Sequence, residues 1–416
     1  MTSTAVTRTS GRLFPPEIFS IILPDTFGSH ITDFAAYTSN RRSVCLACRF
    51  WCQVVYTTPA AWNHIPVSLY TGARYLDFCL EKSKQLTIFL YFNLIPLAAL
   101  EPSGLHPRPT PAEVVGDMFP LLSFGPSKVE EIFVRSTDAS SYSAITLHLG
   151  QVDSTHLRRA SLLVEGGRYE IAGQTLLPPP FSTSASTHVL KELRLGYSIP
   201  TSPMAAIYGN LSVLALCSYR STAWEDVRRI LRATPRLLVL HLTRVECRHS
   251  VFLDEGGNPV LPMLTDLFIA YTHPSGAELM SHIEMPMLVN LHLNIIREHR
   301  SSPPSLQALV RSCHHHLRSV TRLTVGVLIG TLAEVELFFG CLSQLRRLDL
   351  SNTSKMLTED VIFLLLAKAF SFEKLAVVCF GVPLAYDKLA GLLDVLPEGC
   401  TLISPNPVVD CTFKYH

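Results

Sequence analysis

LKELRL, residues 190–195, is the stretch on which the reading of this chain turns. Written as a strand, it sends Leu193 and Leu195 to one side and Glu192 and Arg194 to the other, because successive side chains alternate. The pattern Leu-x-x-Leu-x-Leu recurs ten times in order. The instances are VEEIFV at 129, LRRASL at 157, LKELRL at 190, LSVLAL at 211 and LLVLHL at 237, then LTDLFI at 264, LVNLHL at 288, VTRLTV at 320, LRRLDL at 345 and FEKLAV at 372.

Successive starts are 21 to 33 residues apart, which fits a leucine-rich repeat, whose period is about 20–29 residues. Stacked in parallel, such strands bury the leucine side, and the return segments have to cover it. Three returns read as one-sided helices: AWEDVRRILRA with Val227, Ile230 and Leu231, SLQALVRSC after the Pro303–Pro304 turn, and TEDVIFLLLAKAF with Thr358 as cap. The position three beyond the last leucine, often Asn or Cys in such repeats, is Ser198, Tyr219, Val245 and Thr353 in four units. Irregular turns are therefore expected, with surface loops at LLPPPFSTSAST and EHRSSPPS. The fold class that follows is α/β: an irregular leucine-rich solenoid over 127–416, with parallel strands on a concave face and helices on a convex one.

Outward strand positions form one continuous surface in a solenoid, so they are the candidates for capturing a protein target. They are Arg194, His241, Phe268, His292, Thr324 and Asp349.

Upstream the pattern changes. RLFPPEIFSIIL places two prolines at a helix start, followed by Ile18, Phe19, Ile21 and Ile22 as an apolar surface. In SVCLACRFWCQVV, 43–55, Val44, Cys48, Trp51, Cys52 and Val55 fall at helical spacing. Zinc would need a fourth ligand at a recognised spacing beside Cys45, Cys48 and Cys52, and none exists; a redox C-x-x-C belongs at a helix start after a strand. The expectation is three small packing residues on one helix face.

These stretches, with TPAAWNHI, resemble the F-box, a helical docking module of roughly fifty residues. Pro15, Glu17 and Ile18 match its opening, with Phe14 just before them and Ile21 and Ile22 on the same helix; Cys48, Arg49 and Trp51 match its middle; Pro59 and Trp62 match its close. Ala47 stands where the family has Val, and Phe14 where it has Leu. YLDFCLEKSKQLTIFLYF, 75–92, looks like the strand entry of fungal F-box proteins with degenerate leucine-rich repeats. The implied organisation is a disordered tail at 1–12, an F-box-like domain at 13–66, a connecting segment with the first solenoid strand at 67–126, and the solenoid. The resemblance implies a substrate-recognition subunit of an SCF-type cullin-RING ubiquitin ligase, with those eleven N-terminal residues docking on the small adaptor. The alternative is a repeat scaffold that engages no ligase.

Composition narrows the partner class. Hydrophobic residues make up 48% of 416 and charged residues 17%, below the roughly 25% usual for soluble proteins. Thirty-five Lys and Arg against thirty-four Asp and Glu leave +1, with no basic block to hold nucleic acid. Eleven cysteines, an odd number without a secretory pattern, predict reduced thiols inside a cell, cytoplasmic or nuclear. The longest apolar run, 325–342, carries Glu334 and Glu336 and is not expected to span a membrane. His314 to His316 read as an exposed turn beyond a helix, not a metal site. No nucleophile, phosphate-loop or metalloprotease motif is present, so no catalytic residue, cofactor or metal is expected.

Overall fold

The computed structural model describes residues 34–84, 86–95, 109–124, 129–136, 156–164, 189–196, 208–217, 224–245, 257–271, 279–295, 306–327, 330–367 and 372–405. The tail at 1–12 and the F-box-like opening with Phe14, Pro15, Glu17, Ile18, Ile21 and Ile22 lie outside them, as do both surface loops named above. The chain divides into two units, the first essentially 1–159 and the second essentially 160–416.

Unit 1 contains helices α1 (Phe34–Ala47) and α2 (Arg49–Thr57), a 3-10 turn (Pro59–Ala61), strand β1 (His64–Ser68), α3 (Ala73–Ser83), β2 (Ile88–Asn93), α4 (Pro111–Phe124) and β3 (Val129–Ser136). Its strands are parallel and follow chain order. Ile65, Leu90 and Ile132 share one register position and Val67, Phe92 and Val134 another, and all six are buried. The repeating strand therefore starts before the first leucine pattern, at His64, inside the stretch that resembles the F-box. Ile, Val and Phe hold five of these six inward positions, and Leu90 is the one leucine. Strand β4 (Arg159–Val164) falls at the division between the units.

Unit 2 continues with β5 (Glu192–Leu195), β6 (Val213–Cys217), α5 (Trp224–Arg232), β7 (Val239–Thr243), β8 (Asp266–Tyr271) and β9 (Asn290–Ile295). Then come α6 (Leu306–Leu317), β10 (Arg322–Val325), α7 (Leu332–Gly340), β11 (Arg347–Leu350), α8 (Lys355–Leu366), β12 (Val377–Phe380), α9 (Tyr386–Val395) and β13 (Thr401–Ile403). From β5 onward every pairing is parallel and in chain order. The architecture is α/β.

Leu193, Leu214, Leu240, Leu267, Leu291, Leu323 and Leu348 stand side by side across the sheet, each 1% exposed or less. Three fully buried leucines contribute roughly 5–9 kcal/mol of transfer free energy. Ordering a repeat of about 25 residues costs about 1–2 kcal/mol per residue in backbone entropy. One repeat alone cannot fold; its neighbours have to supply the rest.

The backbone helps to set the register. Ser212 O accepts both Leu238 N (2.9 Å) and Val239 N (3.0 Å), and Leu238 O accepts Thr265 N and Asp266 N, both at 3.0 Å. Thr265 O accepts Val289 N (3.0 Å) and Asn290 N (2.9 Å) in the same way. Two irregular turns are explicit. After β7, Arg244 takes φ +54° and Val245 is buried where Asn or Cys is the usual type. After β11, the Thr353 hydroxyl donates to Leu350 O at 2.8 Å.

Four details differ from the sequence reading. The last repeat is framed three residues later: Val378 and Phe380 pair with Leu348 and Leu350, so its unit is LAVVCF and Phe372 belongs to the turn before it. Helix α8 starts a turn earlier than Thr358, because Ser354 caps it by accepting Leu357 N at 3.3 Å and Leu357 extends the buried face. Thr358 is inside the helix, 1% exposed, its hydroxyl within reach of Ser354 O and Thr353 Oγ1. The histidine triplet is the last turn of α6, not a turn beyond it; His314 and His315 are exposed, while His316 is buried. Finally, 43–55 is two helices, broken at Cys48, which has extended dihedrals (φ −166°, ψ 167°).

The apolar run at 325–342 resolves into a strand end and the short helix α7, which opens with a capping box between Thr331 and Glu334. Among the described residues, no helix is long and apolar enough to cross a membrane.

Candidate functional site

Strand pairing in unit 2 brings all six predicted capture residues into one row. Arg194 pairs with Ala215, Ala215 with His241, His241 with Phe268, Phe268 with His292, His292 with Thr324, and Thr324 with Asp349. Cys379 extends the row on β12. Neighbouring strands lie about 4.8 Å apart, so ring-bearing residues at consecutive positions have to stack. The His241 and Phe268 rings are 5.2 Å apart at 19°, and those of Phe268 and His292 are 5.9 Å apart at 30°.

Polar groups flank this aromatic ladder. Arg194 Nε donates to Glu192 Oε1 at 2.6 Å. Two residues back along the strands, Asn290 Nδ2 donates to Asp266 Oδ1 at 2.6 Å, while Thr265 Oγ1 donates to Asp266 Oδ2 at 2.6 Å. Farther along, Asp349 Oδ1 accepts Ser351 N (3.0 Å) and Ser351 Oγ (2.6 Å), and Arg347 lies 3.7 Å from its other oxygen. Burial, with help from Arg194 and His292 and against Glu192 and Asp266, lowers the His241 pKa. The shift favours the neutral ring of His241 over the cation.

The sequence missed a second set of stacked rings, in unit 1. His64 and Phe89 stack at 4.4 Å and 6°, and Tyr91 is 6.4 Å from Phe133. Burial and then Arg159 push the His64 pKa down to about 4. The available signal was in HIPVS and IFLYFN, where Leu90 is the only leucine at an inward position.

The N-terminal candidates separate by exposure. Trp62 is buried at 5%: its Nε1 donates to Val55 O at 2.8 Å, and its ring packs on Tyr56 (5.3 Å) and Phe78 (5.0 Å). Arg41, buried at 6%, sets its guanidinium 4.7 Å from the Trp62 ring centroid and donates to Ala61 O at 3.4 Å and to the Tyr75 hydroxyl. Burial raises the Tyr75 pKa to about 12, and Cys79 adds to the shift. Trp62 is therefore a packing residue, held by an arginine that the sequence reading did not single out. Pro59, half-buried, opens the 3-10 turn that delivers it.

Cys48 and Arg49 are exposed at the helix break, and Trp51 is half-buried. Around them Leu46, Phe50 and Tyr56 are 73%, 36% and 45% exposed. The cysteines are not one packing face, because Cys48 caps α2, its sulfur accepting Trp51 N at 3.5 Å. Cys45 and Cys52 are both half-buried, and burial, followed by the neighbouring Cys52, raises the Cys45 pKa. Among the described residues, no three His, Cys, Asp or Glu side chains assemble as a metal site.

No protein-family model matches the chain, and no curated protein matches it.

Proposed function

We propose that this chain is the substrate-recognition subunit of an SCF-type cullin-RING ubiquitin ligase, working in the cytoplasm or nucleus. Its F-box-like segment docks on the ligase adaptor, and a leucine-rich solenoid captures the target protein. The observation that carries the capture role is the row from Arg194 to Asp349. Residues chosen only for their place in a repeat stand in one register, with a stacked His-Phe-His ladder between charged pairs. Aromatic residues are enriched at protein interfaces, and a row of them one strand spacing apart suits an extended partner segment. The docking role is supported by the match of Cys48, Arg49 and Trp51 to the family motif and by the exposed Leu46 and Phe50 beside them.

The test is a pull-down of purified full-length chain with the adaptor. Wild type is expected to bind; Pro15→Ala with Ile18→Asp, and separately Phe50→Asp, are expected to abolish binding. No binding by wild type, or binding that survives both variants, sinks the ligase reading and leaves the repeat scaffold.

A further inference from the structure

Arg322 and Arg347 stand in register on β10 and β11, both exposed, on the outward side of the sheet. Neighbouring strands are about 4.8 Å apart, and like charges held side by side repel. The fold gives this pair little relief. Arg322 makes no ion pair or hydrogen bond with the described residues. Arg347 comes no closer than 3.7 Å to Asp349, whose other oxygen already accepts Ser351 N and Ser351 Oγ. The next carboxylate in the arginines' own row, Asp266, is two strands from Arg322, and its oxygens are taken by Asn290 and Thr265. Two guanidinia with one carboxylate thus leave a single positive charge on the outward positions of β10 and β11.

We propose that Arg322 and Arg347 clamp a carboxylate side chain of the captured target, which makes the target class an acidic, extended segment. This rests on the capture reading and names its substrate class. A guanidinium fork fits a carboxylate with parallel N–H···O bonds, and one carboxylate neutralises the single excess charge. A phosphoryl group, at about −1.5 to −2, over-neutralises it beside Asp349. The register fixes a spacing as well. The midpoint of the clamp is two and a half strands from Phe268 and two residues back along them, about 14 Å in all. Four residues of extended chain span about 13 Å, and positions four apart face the same side. The captured segment therefore carries its acid four residues from a large apolar side chain that lies on the Phe268 ring, and it crosses the strands obliquely.

The probes are fluorescein-labelled heptapeptides of serine and threonine, with tryptophan at the second position and glutamate, glutamine or phosphoserine at the sixth, and the same peptides in reverse order. Each is titrated with purified full-length chain and followed by fluorescence polarisation. In one of the two orders the glutamate peptide is expected to bind about tenfold more tightly than the glutamine peptide, and more tightly than the phosphoserine peptide. Arg322→Gln and Arg347→Gln are each expected to remove most of that preference and to leave the glutamine peptide as it was, whereas Phe268→Ala is expected to weaken both peptides alike. Arg322→Gln is also expected to unfold at no lower urea concentration than wild type, since it removes a like-charge contact; earlier unfolding makes Arg322 a structural residue and overturns the clamp. Equal binding of the glutamate and glutamine peptides by wild type, a preference for phosphoserine, or a glutamate preference that survives either arginine variant overturns it too. If Phe268→Ala still weakens the peptides in that event, the capture row stands without the clamp. If no peptide binds, or Phe268→Ala weakens none, the capture row falls with it.

Discussion

Replacing His316 with Gln is expected to flatten the acid limb of the stability of unit 2. His316 is 6% exposed, and its Nε2 donates to Ile283 O at 2.9 Å. Burial, followed by the neighbouring His315, pushes its pKa down from 6.5 to about 4, with only the Ile283 carbonyl working against them. A histidine that resists protonation when folded gives the unfolded state more bound protons over that interval, so stability rises with pH there. Stability is therefore complete above about pH 6.5 and is lost as pH falls toward 4. At about 1.4 kcal/mol for each tenfold change in proton affinity, the full span is worth roughly 3 kcal/mol. Gln keeps an N–H donor for Ile283 O but cannot titrate, so the variant is expected to be less stable at pH 7 and to lose less on acidification. Urea unfolding at steps from pH 7.5 to 4, followed by fluorescence from Trp224 in a Trp51→Phe, Trp62→Phe background, reports on unit 2. Parallel wild-type and His316→Gln curves across that range would refute the reasoning, since every other titrating group is common to both.

Two further outcomes separate the faces of the sheet and the tightness of its turns. Leu291→Ala, at a 0%-exposed inward position, is expected to cost about 2–5 kcal/mol in urea unfolding, whereas His292→Ala on the opposite side of the same strand should change stability by less than about 1 kcal/mol; equal losses would contradict the assignment of faces. At Gly381 an added Cβ would lie 1.9 Å from Ser351 O. Gly381→Ala should therefore lower the unfolding free energy by about 1–3 kcal/mol, while Gly116→Ala in α4, with nothing within 4 Å, should raise it by about 0.5–1 kcal/mol.

The inward leucines were legible because a strand that buries one face needs apolar residues at every second position, and leucine marked them from Leu190 onward. The same physics operates at Ile65, Val67, Leu90 and Phe92, but Leu90 is the only leucine among these four, so the strand Ile88–Asn93 was expected only through the family resemblance and the one at His64–Ser68 was missed. The break at Cys48 was hidden for a different reason. Val44, Cys48, Cys52 and Val55 keep helical spacing straight through it, and what holds the chain on the far side is tertiary: Arg41 against Trp62 and Tyr75. His316 shows the same limit. Three adjacent histidines look alike in sequence, and only the packing of α6 over Ile283 makes one of them internal. The row from Arg194 to Asp349 could be anticipated residue by residue, but not its stacking, which depends on parallel pairing without register slips between β7 and β9.

That stacking bears on how such a surface would work. Outward rings add nothing to the leucine core, so the ladder is not required by the fold. Immobilising a free side chain on binding costs roughly 0.5–1.5 kcal/mol. Rings already held against one another, as His241, Phe268 and His292 are, have met much of that cost before a partner arrives. Phe268 stacks with a ring on each side, so the middle ring helps to order the other two. The neutral state of His241 matters for the same reason, since a charged imidazole beside Arg194 would push the guanidinium off Glu192 and loosen that end of the row. A surface ordered in this way can be selective without being deep: the strand spacing sets the pitch, and a partner has to present its side chains at that pitch.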